Sequence, residues 1–309
     1  MQVIFFGTAA FAVPSLEQLV THGHTVEMCV TQPDRPQGRG LRREPSPVKR
    51  AALQLGLPLS QPERLHGGLF EGLHPDIGVV IAYGTLIRPD LLALPAHGML
   101  GVHPSLLPAY RGAAPVAWAL LNGETTTGVT IFRLSERLDA GDILSRQTVT
   151  IEAEEDAEAL THRLAACGAV GLIRSLEAVA AGRARFEPQD ESQATFAPRL
   201  TKAQGRIDWQ APAERIVRLV RATVPWPGAT TIWGGQPIRI WRASVGQLKA
   251  EGALPGTVVQ VAPEAIAVAA GEGVVVIHEL QPAGRRRMIA REFLAGHHVS
   301  VGERFGGSS

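Results

Sequence analysis

Two side chains in this sequence are well suited to moving a proton: a histidine that ends an apolar run and a carboxylate in a glycine-containing loop. His103 closes Met99-Leu100-Gly101-Val102-His103 and is followed by Pro104-Ser105-Leu106-Leu107-Pro108-Ala109-Tyr110-Arg111-Gly112. Imidazole titrates near neutrality, so within an apolar strand it is either held by a structural hydrogen bond or put to use. Asp139 lies 36 residues later, in Arg137-Leu138-Asp139-Ala140-Gly141-Asp142. A carboxylate beside an imidazole orients the ring and stabilises its protonated form, which suits acid–base chemistry or the support of a developing oxyanion. Spacing alone leaves open a hairpin turn in which Asp139 and Asp142 only bond backbone amides.

Bringing the two together requires a sheet. The run ending at His103 reads as a strand that delivers its C-terminal end, where open α/β sheets bind ligands. Further strands are predicted over Val3–Gly7 and Thr25–Thr31, and over Asp76–Ala82, whose Ile and Val run is too apolar to face water on either side. Thr127–Arg133 and Ile143–Ile151 flank the Asp139 loop as two more strands. Helices are expected over Phe11–His22, with Pro14 tolerated in the first turn, and over 46–56, with Ser46 as cap and Pro47 at the first position. Two more are expected over Ala113–Leu121 and over Glu155–Gly182, where Gly168 predicts two helices or one kinked helix. The pattern is an α/β, Rossmann-like domain with a parallel-rich sheet over residues 1–185. Residues 186–206 lose periodicity and read as a linker. From 207 to 309 a helix (Ala213–Thr223) precedes short strands around 229–242, 256–260, 265–269 and 273–280, separated by Gly and Pro turns, which suggests a small OB-like β-barrel.

Several function classes are disfavoured. Gly7-Thr8-Ala9-Ala10 lacks the glycine spacing that admits a pyrophosphate, which argues against a nicotinamide cofactor. Two cysteines, Cys29 and Cys167, provide neither a disulfide framework nor a zinc set, and suit a reducing cytoplasm. No metal-ligand spacing is seen. The chain starts directly on an apolar strand with no leader-like pattern, and no apolar run approaches the roughly 18 residues of a membrane span. The net charge of +1 conceals an uneven distribution: Gln32–Arg50 carries six basic and two acidic residues, and residues 205–309 carry twelve and eight. A long Gly- and Arg-containing loop in a compact domain is usually functional or disordered, and guanidinium groups suit phosphate; a solvated loop is the alternative. Arg285-Arg286-Arg287 is the densest basic point, with a solvated hairpin as its alternative.

The sequence resembles the folate-dependent formyltransferases. The resemblance rests on the run from His103 to Pro115, on Thr127 to Ile131 and on Leu138 to Asp142. It extends through Gly7-Thr8, Thr31 to Gly40, Pro45 to Lys49, Ala82-Tyr83-Gly84, Ile207-Asp208-Trp209, Pro225-Trp226-Pro227 and Leu280 to Gly284. It implies transfer of a formyl group from 10-formyltetrahydrofolate, a co-substrate, to the α-amine of methionine on initiator tRNA, at the start of translation, by a metal-free cytoplasmic monomer. It further implies catalysis by His103 and Asp139. Folate contacts are implied for Ser105, Leu106, Leu107, Pro108, Tyr83, Gly84 and Leu86, the Tyr83 segment acting largely through backbone. RNA contacts follow from the basic loop (Arg35, Arg39, Arg42, Arg43, Lys49), which in the resembling enzymes meets the acceptor stem, and from Arg285, Arg286 and Arg287 in the second domain. One departure is notable. The family pattern has Asn two residues before the histidine, and this chain has Gly101, which has no side-chain donor for an oxyanion. The resemblance therefore also admits a weak or inactive folate- and tRNA-binding homologue, and sibling reactions on the same domain: other folate-dependent formyl transfers, or hydrolysis.

Overall fold

A computed structural model describes residues 1–37, 42–250 and 252–306, the side chains of Pro36, Gln37 and Arg42 excepted. Arg39 lies outside the described residues, and so does the side chain of Arg42. The chain divides into two compact units: residues 1–115, 126–150 and 161–197 form the first, and 116–125, 151–160 and 198–306 the second.

In the first unit the apolar runs become β1 (Gln2–Gly7), β2 (Thr25–Val30), β5 (Leu59–Ser60), β6 (Ile77–Ile81), β7 (Met99–His103), β8 (Thr126–Arg133) and β9 (Ile143–Thr150). Between β2 and β5 a ribbon pairs β3 (Arg35–Gln37) with β4 (Arg42–Glu44). The main sheet has the order β5-β2-β1-β6-β7-β8-β9. Its first five strands are parallel, and β8 and β9 are antiparallel to their neighbours. The chain winds outward from β1 through β2 to β5, then restarts on the other side of β1 with β6 and β7. The junction of β1 and β6 is therefore the point where the winding reverses, which opens a crevice at the strand C-termini. Helices α1 (Val13–Thr21), α2 (Pro47–Gln54) and α3 (Pro89–Leu92) each carry a proline in the first turn. Ser46 caps α2 by accepting a hydrogen bond from the Lys49 amide at 3.0 Å, and Pro47 holds the first position.

Helix α4 spans Pro115–Asn122, and α5 runs unbroken over Ala157–Ala180. The interruption expected at Gly168 does not occur. A Cβ there would lie 2.7 Å from Val102 Cγ1 and 3.2 Å from Val129 Cγ1, so the glycine admits the helix against β7 and β8 instead of ending it. The helix covers the Val102 and Val129 face, which leaves the opposite face to Gly101, His103 and Phe132 by strand alternation.

The second unit carries α6 (Ala213–Ala222) and six antiparallel strands: β10 (Ala229–Trp233), β11 (Gln236–Gly246), β12 (Val258–Ala262), β13 (Ala265–Ala269), β14 (Val274–Pro282) and β15 (Met288–Ile289), followed by α7 (Ala290–Gly296). Hydrogen bonding runs β10-β11-β14-β13-β12, with β15 on β14. Their core includes Trp209, Ile216, Ile240, Ile277, Phe293 and Phe305. Among the described residues no helix is long and apolar enough to cross a membrane.

Candidate functional site

His103 is the last residue of β7, one strand from the β1–β6 reversal. The reversal is bridged by Thr8 Oγ1, which donates to the Tyr83 carbonyl at 2.9 Å, and by the Ala9 amide on the Ala82 carbonyl at 3.4 Å. β8 runs antiparallel to β7, so the β8–β9 turn leaves the sheet beside Leu100, the partner of Arg133, and Asp139 reaches His103 because that turn folds back toward the C-terminal end of β7, its far side pressed against β8. A Cβ on Gly141 would lie 1.8 Å from the Arg133 carbonyl oxygen. Only glycine fits there.

The two side chains meet: His103 Nδ1 lies 3.7 Å from Asp139 Oδ2. That separation is within ion-pair range and longer than a hydrogen bond. Nε2 is 2.9 Å from the Tyr110 carbonyl. A carbonyl oxygen only accepts, so Nε2 donates, and Nδ1 faces the carboxylate. Asp139 Oδ2 also accepts from the Gly112 amide at 2.8 Å. The two sequence readings of Asp139, turn anchor and imidazole partner, thus hold together. Tyr110 (φ 62°), Asp139 (φ 51°) and Ala82 (φ 46°) all adopt left-handed backbone that favours glycine, and all three lie at this edge. Such strain concentrates at functional sites and persists only where surrounding bonds hold it.

The Ser105–Pro108 segment is built rather than loose. Ser105 is fully buried and its hydroxyl donates to the Ala109 carbonyl at 2.6 Å. Thr130 Oγ1 donates to the Ser105 carbonyl at 2.7 Å and accepts from the Leu107 amide at 3.0 Å. Leu107 is buried with Phe132 and Ile143, and Leu106 packs over Gly128. Tyr83 is buried too, its ring edge-on to Phe6, and burial pushes its phenol above the usual range. The side chains of Leu107 and Tyr83 therefore belong to the core. Half-buried Leu106 and Pro108, exposed Gly84 and exposed Leu86 are the outward-facing members of the expected folate set.

Gly101 is not followed by a void. A Cβ there would lie 2.5 Å from Phe132 Cε1, 2.8 Å from Phe132 Cζ and 2.9 Å from Leu134 Cδ1. Phe132 is the cross-strand partner of Gly101 and stands edge-on to His103, with centroids 6.5 Å apart. The glycine and the ring are complementary in volume.

The expected basic contacts are unequal. Lys49 is paired with Asp34 at 2.6 Å, and hydrogen bonds from Gln61 and Lys49 hold that carboxyl below its usual range. Arg35 and Arg43 are exposed, on paired strands of the β3–β4 ribbon. In the second unit Arg286 pairs with Glu292 at 2.8 Å, while Arg287 pairs with Glu279 at 2.6 Å and lies over Trp241. Arg285 is exposed with no side-chain partner among the described residues.

Sequence reasoning missed Gln189 and Glu191. The Arg111 guanidinium is buried on these two residues, 2.7 Å from Gln189 Oε1 and 2.9 Å from Glu191 Oε1. Arg111, then Arg137, hold the Glu191 carboxyl down to about 2. Partners so distant in the chain leave no local signal. A cavity of about 390 Å³ lined by Ile131, Ser145, Arg146, Cys167, Arg174 and Ser175 lies on the α5 side of the sheet, away from the His–Asp pair. Among the described residues no three His, Cys, Asp or Glu side chains converge as a metal-binding group.

Residues 1–176 match the family described as "Formyl transferase", and residues 199–298 match "Formyl transferase, C-terminal domain". A "Methionyl-tRNA formyltransferase" of Roseiflexus castenholzii is 45% identical over 312 residues, covering 99% of this chain and 99% of that protein. One of the same name from Chromobacterium violaceum is 43% identical over 311 residues, covering 99% and 100%. Among solved structures, an N-formyltransferase of Helicobacter canadensis in complex with folinic acid and dTDP-3-aminofucose superposes with a TM-score of 0.67 at 14% identity, covering 93% of this chain and 99% of that one. HypX of Aquifex aeolicus gives 0.67 at 19% identity and covers 96% of this chain, which spans 49% of HypX. With both domain models matched in order and such relatives aligned along the whole length, the chain belongs to the formyl transferase family.

Proposed function

We propose that this protein transfers a formyl group from 10-formyltetrahydrofolate to the α-amine of methionyl-initiator tRNA. The observation that carries the reading is end-to-end identity of 45% with a methionyl-tRNA formyltransferase, joined to an imidazole and a carboxylate 3.7 Å apart beside the sheet's winding reversal. In this reading residues 1–185 hold the chemistry, 186–206 link, and 207–309 bind tRNA, and the protein works as a cytoplasmic monomer.

His103 Nε2 now donates to a carbonyl oxygen, that of Tyr110. The formyl oxygen is an acceptor of the same kind, and Nε2–H serves it when the strained Tyr110 peptide yields its place. Asp139 keeps Nδ1 aimed and balances positive charge on the ring as negative charge gathers on that oxygen. The neutral amine forms the new C–N bond, the formyl–folate C–N bond breaks as the intermediate collapses, and the proton given up by the amine ends on the departing folate nitrogen. For the pterin, this reading takes the apolar surface of exposed Leu86 and half-buried Leu106 and Pro108, with main-chain groups of the 82–84 turn supplying the polar contacts that a flat heteroaromatic ring needs. Arg35, Arg39, Arg42, Arg43 and Arg285 serve phosphates, and the paired Lys49, Arg286 and Arg287 contribute less.

The test is formylation of methionyl-initiator tRNA by purified protein, with His103→Ala and Asp139→Asn alongside. Both variants should lose about 10²–10⁴ in turnover. No product at high enzyme concentration, or full activity in both variants, defeats the proposal. One observation favours a slower enzyme than its relatives. No side-chain amide stands at position 101, and losing one oxyanion donor costs about 10²–10³ in turnover.

A further inference from the structure

Asp139 sits in an unfavourable left-handed conformation, so something must hold its turn. The clamp is Gln189, 9% exposed, whose Nε2 donates to the Asp139 carbonyl at 2.8 Å and to the Gly141 carbonyl at 2.7 Å. Its Oε1 accepts from Arg111 Nε at 3.1 Å and Nη2 at 2.7 Å. Arg111 stands between Tyr110, whose carbonyl receives His103 Nε2–H, and Gly112, whose amide bonds the Asp139 carboxylate. One carboxamide thus joins the turn that presents the carboxylate to the loop that fixes both carboxylate and ring. Glu191 completes the arrangement by neutralising the buried Arg111 charge.

Both ends of the amide are used in opposite senses, donor toward two carbonyls and acceptor toward a guanidinium. No other side chain of this length supplies both. A Glu here would keep Arg111 satisfied but set a carboxylate oxygen against two carbonyl oxygens. A Met would fill the same space and bond neither.

We propose that Gln189 is a positioning residue for the reaction, fixing Asp139 against His103 through the turn it clamps. The inference rests on the reading of His103 and Asp139 as the reacting pair. Full-length Gln189→Glu and Gln189→Met are compared with the parent in formylation assays, in thermal unfolding, and in the double variant Asp139→Asn/Gln189→Glu. A displacement of about 1 Å can cost about 10²-fold in rate, so a fall in kcat of about 10- to 100-fold is expected in each single variant, with KM for both substrates nearly unchanged. Gln189→Glu should lower Tm, since one carboxylate oxygen then faces two carbonyls, and still be folded at the assay temperature. The double variant should be no slower than Asp139→Asn alone, because the clamp acts only through that carboxylate.

Parent-like kcat in Gln189→Glu, or further loss in the double variant, overturns the proposal. If Gln189→Glu does not fold, Gln189→Met carries the same comparison; if neither folds, the residue serves the fold and the proposal is wrong. Failure of the underlying reading is recognisable separately: Asp139→Asn would then turn over like the parent.

Discussion

The sharpest prediction concerns Gly101→Asn, the change that would restore the family pattern. The new Cβ would lie 2.5 Å from a ring carbon of Phe132, 2.8 Å from a second, and 2.9 Å from a Leu134 methyl. Phe132 is 5% exposed and packed with Leu107, Ile143 and Leu134, so the ring has no free space to retreat into. Overpacking of this kind costs about 1–3 kcal/mol. An amide buried without partners adds about 1–3 kcal/mol. The single variant should therefore lose about 2–6 kcal/mol, a large share of a typical folding free energy of roughly 5–15 kcal/mol. Phe132→Leu removes the two offending ring carbons, so the double variant should be less destabilised than the sum of the singles by about 1–3 kcal/mol. Urea unfolding of the four proteins closes the cycle, and formylation is measured on each. Turnover should rise above the parent only in the double variant, where the amide has room to reach the reacting oxygen. A Gly101→Asn protein within about 0.5 kcal/mol of the parent, a tolerance typical of independent sites, would refute the packing argument.

Three further outcomes follow from individual contacts. Ser46→Ala removes the cap on the Lys49 amide and leaves the fully buried Thr31 hydroxyl without its partner at 2.8 Å. Urea unfolding should show a loss of about 1–3 kcal/mol with unchanged m. Glu191 is held down to about 2 by Arg111 and Arg137, so its stabilisation is fully present above the unfolded value near 4.5 and lost as pH falls through about 2. Acid unfolding of Glu191→Gln should lack that descending limb, and a profile identical to the parent's would show that the pairs do not stabilise. Burial pushes the Cys29 thiol up to about 12. Native protein at mildly alkaline pH should therefore resist alkylation there and react only once unfolded; rapid native labelling would contradict the burial.

Much of the layout is legible in the chain. The apolar runs at Val3, Ile77 and Met99 have nowhere to go but the centre of a sheet, and Ser46-Pro47 announces a helix start because a capping hydroxyl and a preset φ are local properties. Gly168 misled, since its meaning lies in what a Cβ would strike on β7 and β8, not in helix propensity. His103 was visible because an imidazole is out of place in a hydrophobic strand, and Asp139 because a carboxylate beside glycine marks a turn.

What composition and spacing determined was therefore a sheet with chemistry at its C-terminal edge and basic charge in two places. Only the tertiary structure decided which nitrogen of His103 faces Asp139, that Phe132 fills the space beside Gly101, and that Arg111 is a buried strut tied to Gln189 and Glu191. The reason is physical. A strand or a cap is fixed by neighbours within a few residues, whereas these contacts join groups far apart in the chain, and their geometry exists only once the sheet has closed around them.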